Sequence, residues 1–173
     1  MIAGHYGYLL AYKYWNGVIE LTVETNQQLH MTNLIAFRKN VRAAELHGYA
    51  EKMLAYFESH GAKKVGGSVS ATYAVDGDMM DIEVYIPVDK EIPSSEEFVF
   101  KPKLYLCNCI KVNHKGNPQL LEETINKLND YIENHNLTPI SACFTVTLKE
   151  ITNPSDAELF EMDAYISISP NLM

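Results

Sequence analysis

The sequence predicts an α+β fold, a tandem β-α-β-β repeat preceded by an N-terminal β-hairpin. Three observations carry that prediction. Period-two alternation marks the strands, most clearly Asp81-Ile82-Glu83-Val84-Tyr85-Ile86-Pro87-Val88, which sends aliphatic side chains to one face and Asp81, Glu83, Tyr85 and Pro87 to the other. Two segments with helical spacing of apolar residues occur in the same order relative to such strands. The ends of those helices also match in residue type, Tyr56-Phe57-Glu58-Ser59-His60-Gly61 against Tyr131-Ile132-Glu133-Asn134-His135-Asn136, which points to an internal duplication.

Residues 1–31 read as the hairpin extension. A β-rich run from about Tyr6 to Trp15 and another from about Val18 to Thr25 flank Asn16-Gly17, a dipeptide whose tolerance of positive φ suits a tight hairpin turn. Tyr6, Tyr8, Leu10, Tyr12 and Tyr14 share one face. The polar stretch Asn26 to His30 then leads into a short strand at Leu34 to Phe37, which opens the first repeat, residues 32–89. A helix follows over about Arg42 to His60, with Leu46, Ala50, Met53, Leu54 and Phe57 as its apolar stripe and Gly61 as its stop. Strands at Ser68 to Val75 and Met80 to Val88 are joined by Asp76-Gly77-Asp78.

Residues 90–102 lack periodicity and carry Pro93-Ser94-Ser95, so they read as a connector. The second repeat, residues 103–173, restarts with a strand from Leu104 to about Val112. Asn117 and Pro118 then supply a helix start, and Leu121, Ile125, Leu128 and Ile132 form the stripe of a helix reaching His135. Strands at Ile140 to Leu148 and Asp163 to Ser169 close it, with a loop through Asn153-Pro154-Ser155-Asp156 between them. The whole chain is expected to form one domain.

The 173 residues carry a net charge of −8, which argues against direct nucleic-acid binding, since sequence-independent affinity for phosphate backbones comes from clustered Lys and Arg. Neither a signal peptide nor a membrane-spanning apolar run is present, and three cysteines fit reduced thiols, so a cytoplasmic protein without membrane attachment is expected. Cys107 and Cys109 fall on one face of a strand, but zinc-like spacing is missing, and no metal is expected. His60 and His135 read as helix caps, and His114 as a loop residue. Phosphate-binding glycine loops and nucleophile elbows are absent, and no cofactor is expected.

The order and spacing from about Leu34 to Pro170 resemble the gyrase-inhibitor-like (GyrI-like) superfamily, whose fold is also the effector-binding half of some transcription regulators. The residues that carry the likeness are Gly66-Gly67 leading into Ser68 to Val75, then Asp81 to Val88, His114-Lys115-Gly116, Leu121 to His135, and Asp163 to Ser169. The resemblance implies a pseudo-twofold antiparallel sheet with two helices on one face and an aromatic-lined cleft on the other. It also implies a carboxylate that meets polar or cationic ligands. The tyrosine-rich start departs from members that carry a helix-turn-helix.

Under that reading Glu83 and Tyr85 project into the cleft, joined by Tyr73, with Asp163, Tyr165 and Ser167 projecting from the matching strand. Tyr165 is aligned with Glu83, which leaves the second strand without a matching acid. A carboxylate among phenols can hold a cation by charge and by ring face. The leading expectation is a non-enzymatic effector-binding protein for a small apolar or cationic molecule, a sensor or antagonist acting through a protein partner. Two alternatives stand beside it: an interaction module whose cleft is blocked, and a small hydrolase using a cleft carboxylate as base. Three uses stay open to the tyrosine hairpin: covering the cleft, extending the sheet edge, or pairing with a second copy as a homodimer.

Overall fold

A computed structural model describes residues 10–11, 22–151 and 153–170. Its chain order is β1 (Leu10–Ala11), β2 (Thr22–Arg42), α1 (Ala43–Ser59), β3 (Val69–Asp76), β4 (Met79–Pro87), β5 (Val99–Lys115), α2 (Leu121–Asn134), β6 (Cys143–Lys149) and β7 (Glu161–Ser167). This is the anticipated α+β arrangement, β-α-β-β twice over after an N-terminal strand, with antiparallel pairing in each register given below. The chain divides into two compact units. One holds His30–Tyr105 with Ala142–Thr147; the other holds the residues up to Leu29, Leu106–Ser141 and those from Leu148.

In the first of these units, β2 runs into α1 at Arg42, whose backbone N–H donates to the Glu45 carboxylate at 3.0 Å. An acid in the first turn also suits the positive end of the helix dipole. Met53 and Phe57 are buried, and Leu46, Tyr49 and Tyr56 pack at the edge of the same cluster. Leu54, placed in the apolar stripe by sequence, is 41 % exposed. One residue beyond Met53 is about 100° further round the helix, so the tyrosines at positions 49 and 56 complete the stripe instead.

The helix covers Ile35, Phe37, Ile86 and Val88, together with Ile92 and Phe98 from the segment read as a connector. The strands of this unit are ordered β2-β4-β3-β6. Register runs from Leu34↔Pro87 to Arg42↔Met79, from Val69↔Tyr85 to Asp76↔Met79, and from Val69↔Val146 to Thr72↔Cys143. Strand alternation therefore sends Ala36, Arg38, Glu83, Tyr85, Ala71 and Phe144 to the face away from α1.

Two strands are longer than the sequence suggests. The polar stretch 26–30 is carried inside β2, because Asn26 and Asn33 adopt φ of +56° and +53° and let the strand continue through a local change of direction; asparagine reaches that region more readily than other non-glycine residues. Strand β5 begins at Val99 and so absorbs residues 99–102 of the supposed connector.

In the other unit, β5 pairs with β7 from Cys109↔Ser167 to Lys115↔Glu161, and α2 buries Thr124, Leu128, Tyr131 and Ile132. Asn117 caps the entry turn Pro118–Leu120 by accepting from the Gln119 N–H at 3.0 Å. Strand β1 pairs with β2 through Leu10↔Val23 and Ala11↔Thr22. The rest of the expected hairpin, with Tyr6, Tyr8, Tyr12, Tyr14 and the Asn16-Gly17 turn, lies outside the described residues.

The duplicated helix ends are duplicated in structure. Gly61 and Asn136 hold φ of +66° and +53°, and each helix closes with the same bond pair: Ala62 N–H to Phe57 O and Gly61 N–H to Glu58 O, then Leu137 N–H to Ile132 O and Asn136 N–H to Glu133 O. His60 Nδ1 meets Tyr56 O at 2.9 Å and His135 Nδ1 meets Tyr131 O at 2.8 Å, with each ring against the same tyrosine. Both histidines are caps, as the sequence suggests. His114 differs from expectation, being a buried strand residue. Its Nε2 donates to Asn117 O at 3.1 Å and its Nδ1 lies 2.7 Å from the Thr124 hydroxyl.

Among the described residues no helix is long and apolar enough to cross a membrane.

Two glycines of the first-described unit should respond oppositely to alanine. A Cβ on Gly67 would sit 1.7 Å from the Thr147 carbonyl oxygen, whereas one on helical Gly48 would meet nothing within 4 Å. Gly48→Ala should raise stability by about 0.5–1 kcal/mol, and Gly67→Ala should lower the melting temperature, both read by thermal unfolding.

Candidate functional site

Strand β4 is flanked by β2 and β3, so a carboxylate on it is enclosed by neighbours on both sides. Glu83 is 7 % exposed, and its burial would be costly without partners. It has three. The hydroxyls of Tyr85 and Tyr73 donate to Oε2 at 2.6 and 3.0 Å, and the Lys101 ammonium donates to Oε1. Tyr85 is two residues along the same face and is itself buried, with its ring 6.3 Å from that of Phe144.

Tyr73 reaches the site through a break in register. The pairs Thr72↔Ile82 and Ala74↔Asp81 leave Tyr73 as an extra residue on β3, a β-bulge. Its ring is partly exposed and carries the Arg38 guanidinium 3.8 Å from its centroid. Arg38 lies opposite Glu83 in register yet is engaged elsewhere, in a two-pronged bond to Asp81 at 2.9 and 2.6 Å. Lys101 is thus the cation on Glu83, and its ammonium also lies 5.1 Å from the centre of the Tyr85 ring.

These contacts shift the acids and phenols in opposite senses. Burial pushes Glu83 upward, but the bonds from Lys101 and Tyr85 outweigh it and hold the carboxyl below its ordinary value of 4.5. Burial raises the Tyr85 phenol, reinforced by Glu83, and burial likewise raises Tyr73. The result is an ionised acid bonded by two protonated phenols.

Asp163 and Tyr165 form a second cluster, in the other unit. Asp163 is buried and accepts from Asn113 Nδ2 at 2.8 Å and from the Tyr165 hydroxyl at 3.3 Å, while Lys111 lies 2.8 Å from Glu24 and 3.6 Å from Asp163. An acid with a tyrosine two residues on and a lysine from β5 recurs here. This corrects the sequence alignment: Asp163 answers to Glu83 and Tyr165 to Tyr85, so the second strand does have a matching acid. Ser167 is spent on Cys109, with Oγ 3.3 Å from the thiol sulfur.

Neither a protein-family model nor a curated protein matches the sequence. Solved structures do match. The EcmrR C-terminal domain superposes with a TM-score of 0.62 at 13 % identity, over 83 % of this chain and 96 % of that one. An uncharacterized conserved protein from Listeria innocua follows at 0.60 and 10 %, over 83 % and 93 %. The chain shares the fold of these structures. SAV2435, solved bound to tetraphenylphosphonium, shares it with a TM-score of 0.52 at 10 % identity, over 87 % of this chain and 94 % of that one. EcmrR in its DNA complex within EcmrR-RPo matches at 0.67 and 12 %, over 86 % of this chain, which spans 57 % of that protein's length.

Cys107 is exposed and Cys109 buried, with Asn108 at φ +50° between them, and Cys143 is half-buried. Burial raises the Cys109 thiol and pushes Cys143 up to about 11, the opposite of what a nucleophilic thiolate requires. Sequence reasoning missed Lys101, Arg38 and Lys111. Lys101 sits between Phe100 and Pro102 in a stretch without clean alternation, and only its place on a strand would have put it beside Glu83.

Because the folded carboxyl is depressed, Glu83 contributes stability that is complete above 4.5 and lost as pH falls through its lower folded value. Thermal unfolding of parent and Glu83→Gln should differ most above pH 4.5, with the gap closing in acid. In Lys101→Met the Glu83 carboxyl should titrate higher, as followed by NMR of the side-chain carbon.

Proposed function

We propose that the chain is a non-enzymatic small-molecule-binding protein of one domain, and that Glu83, Tyr85 and Tyr73, with Asp163 and Tyr165 in the second repeat, are its ligand-contacting residues. One observation carries this reading: a buried, ionised carboxylate bonded by two phenols, on the sheet face turned away from α1, next to an exposed tyrosine ring. Such a group meets a cation by charge while the rings meet its apolar surface. The ligand class is a small apolar cation. SAV2435, which shares the fold, was solved with tetraphenylphosphonium, a molecule of that chemistry.

The hydrolase alternative fits the site less well. A general base is most effective with its pKa raised toward the working pH, and Glu83 is held down and paired with Lys101. A role as sensor or antagonist through a protein partner extends the proposal, with EcmrR in its DNA complex as the analogue in fold.

Tetraphenylphosphonium at about a hundred times its Kd should raise the melting temperature of the parent by roughly 5–10 °C, and Glu83→Gln should lose most of that rise. A parent whose melting temperature does not move with this or other hydrophobic cations would overturn the reading.

A further inference from the structure

We infer that Lys101 is a tethered cation occupying the seat of the ligand at Glu83, and that displacing it sets which cations the site accepts. The inference rests on the binding function proposed above and goes beyond it by naming the residue that governs selectivity.

The single negative charge of Glu83 is already matched by one ammonium. Oε2 accepts from both phenols, and Oε1 accepts from Lys101. The ammonium also lies by the Tyr85 ring, so it already makes the charge and ring-face contacts that a bound cation would make. Arg38 is no substitute, since its guanidinium is held by Asp81 and stacked on Tyr73.

Exposure decides which partner moves. The Glu83 side chain is 10 % exposed and the Lys101 side chain 38 %. The acid and Tyr85 are fixed in the strand, while the lysine has solvent beside it and a flexible stem. An ammonium that swings out regains its hydration, whereas the carboxylate cannot leave.

Selectivity follows from the tether. An attached lysine competes at an effective concentration on the order of millimolar or more, and a small hydrated cation offers Glu83 no more than Lys101 already does. A cation with aromatic surface gains further contact on Tyr73, which is 41 % exposed. Displacement therefore favours bulky apolar cations over tetramethylammonium-sized ones.

Titration calorimetry of parent, Lys101→Met and Lys101→Arg with tetraphenylphosphonium and with tetramethylammonium tests this. Lys101→Met should bind both cations about tenfold more tightly or better, while Lys101→Arg stays near the parent. A second measurement needs no variant: in the parent, the Lys101 side-chain NMR signal should move toward that of a free lysine as tetraphenylphosphonium is added. Equal affinity in parent and Lys101→Met, or a Lys101 signal unchanged at saturation, would overturn the displacement while leaving binding at Glu83 standing. Absence of binding in parent and Lys101→Met alike would overturn both.

Discussion

A carboxylate in the middle of a sheet has to be compensated, and the neighbourhood of Glu83 is organised by that requirement. Strand β4 uses one face to complete the core under α1, through Ile86, and the other to present Glu83 and Tyr85. The acid then draws in a phenol from its own strand, a second phenol from a bulge in β3, and an ammonium from the start of β5. Each partner comes from a different element, so the polar cluster ties β3 and β5 to β4 on the face turned away from α1. Fully paired buried networks of this kind are well ordered, and removing one member leaves the rest exposed to the full cost of desolvation.

The second repeat solves the same problem with other residues. Asp163 has Tyr165 two positions on, Asn113 opposite it in register, and Lys111 shared with Glu24. Helix ends repeat as closely, down to a histidine bonded to the tyrosine carbonyl four residues back and a left-handed residue after it. The duplication is thus one of physical solutions as well as of element order. The electrostatics differ: Lys111 is shared between two acids, so the cation of the second cluster is held more firmly than Lys101, whose side chain is the more exposed.

Much of this was legible in the sequence, and the exceptions share a cause. Alternation in 81–88 identified the strand and the opposite faces taken by Ile86 and by Glu83 with Tyr85, because period two translates directly into faces. Tyr56–Gly61 and Tyr131–Asn136 revealed both caps, since residue type and position determine that geometry locally. Most of what failed depends on a break in period. Asn26, Asn33 and Asn108 carry strands through positive φ, where a polar residue reads as a loop. The bulge at Tyr73 and the late alternation around Lys101 leave no periodic trace. The alignment of Asp163 with Glu83 was missed because the strands were matched by their ends and not by the acid-x-Tyr pattern within them.

Under the proposal above, Glu83 is the centre of a cation seat that Lys101 fills until a ligand arrives. The most direct test is a crystal structure of the protein with tetraphenylphosphonium. The expected result is the phosphonium against the Tyr85 and Tyr73 rings within reach of the Glu83 carboxylate, with Lys101 turned out to solvent. A phosphonium bound elsewhere, with Lys101 still on Glu83, would contradict it.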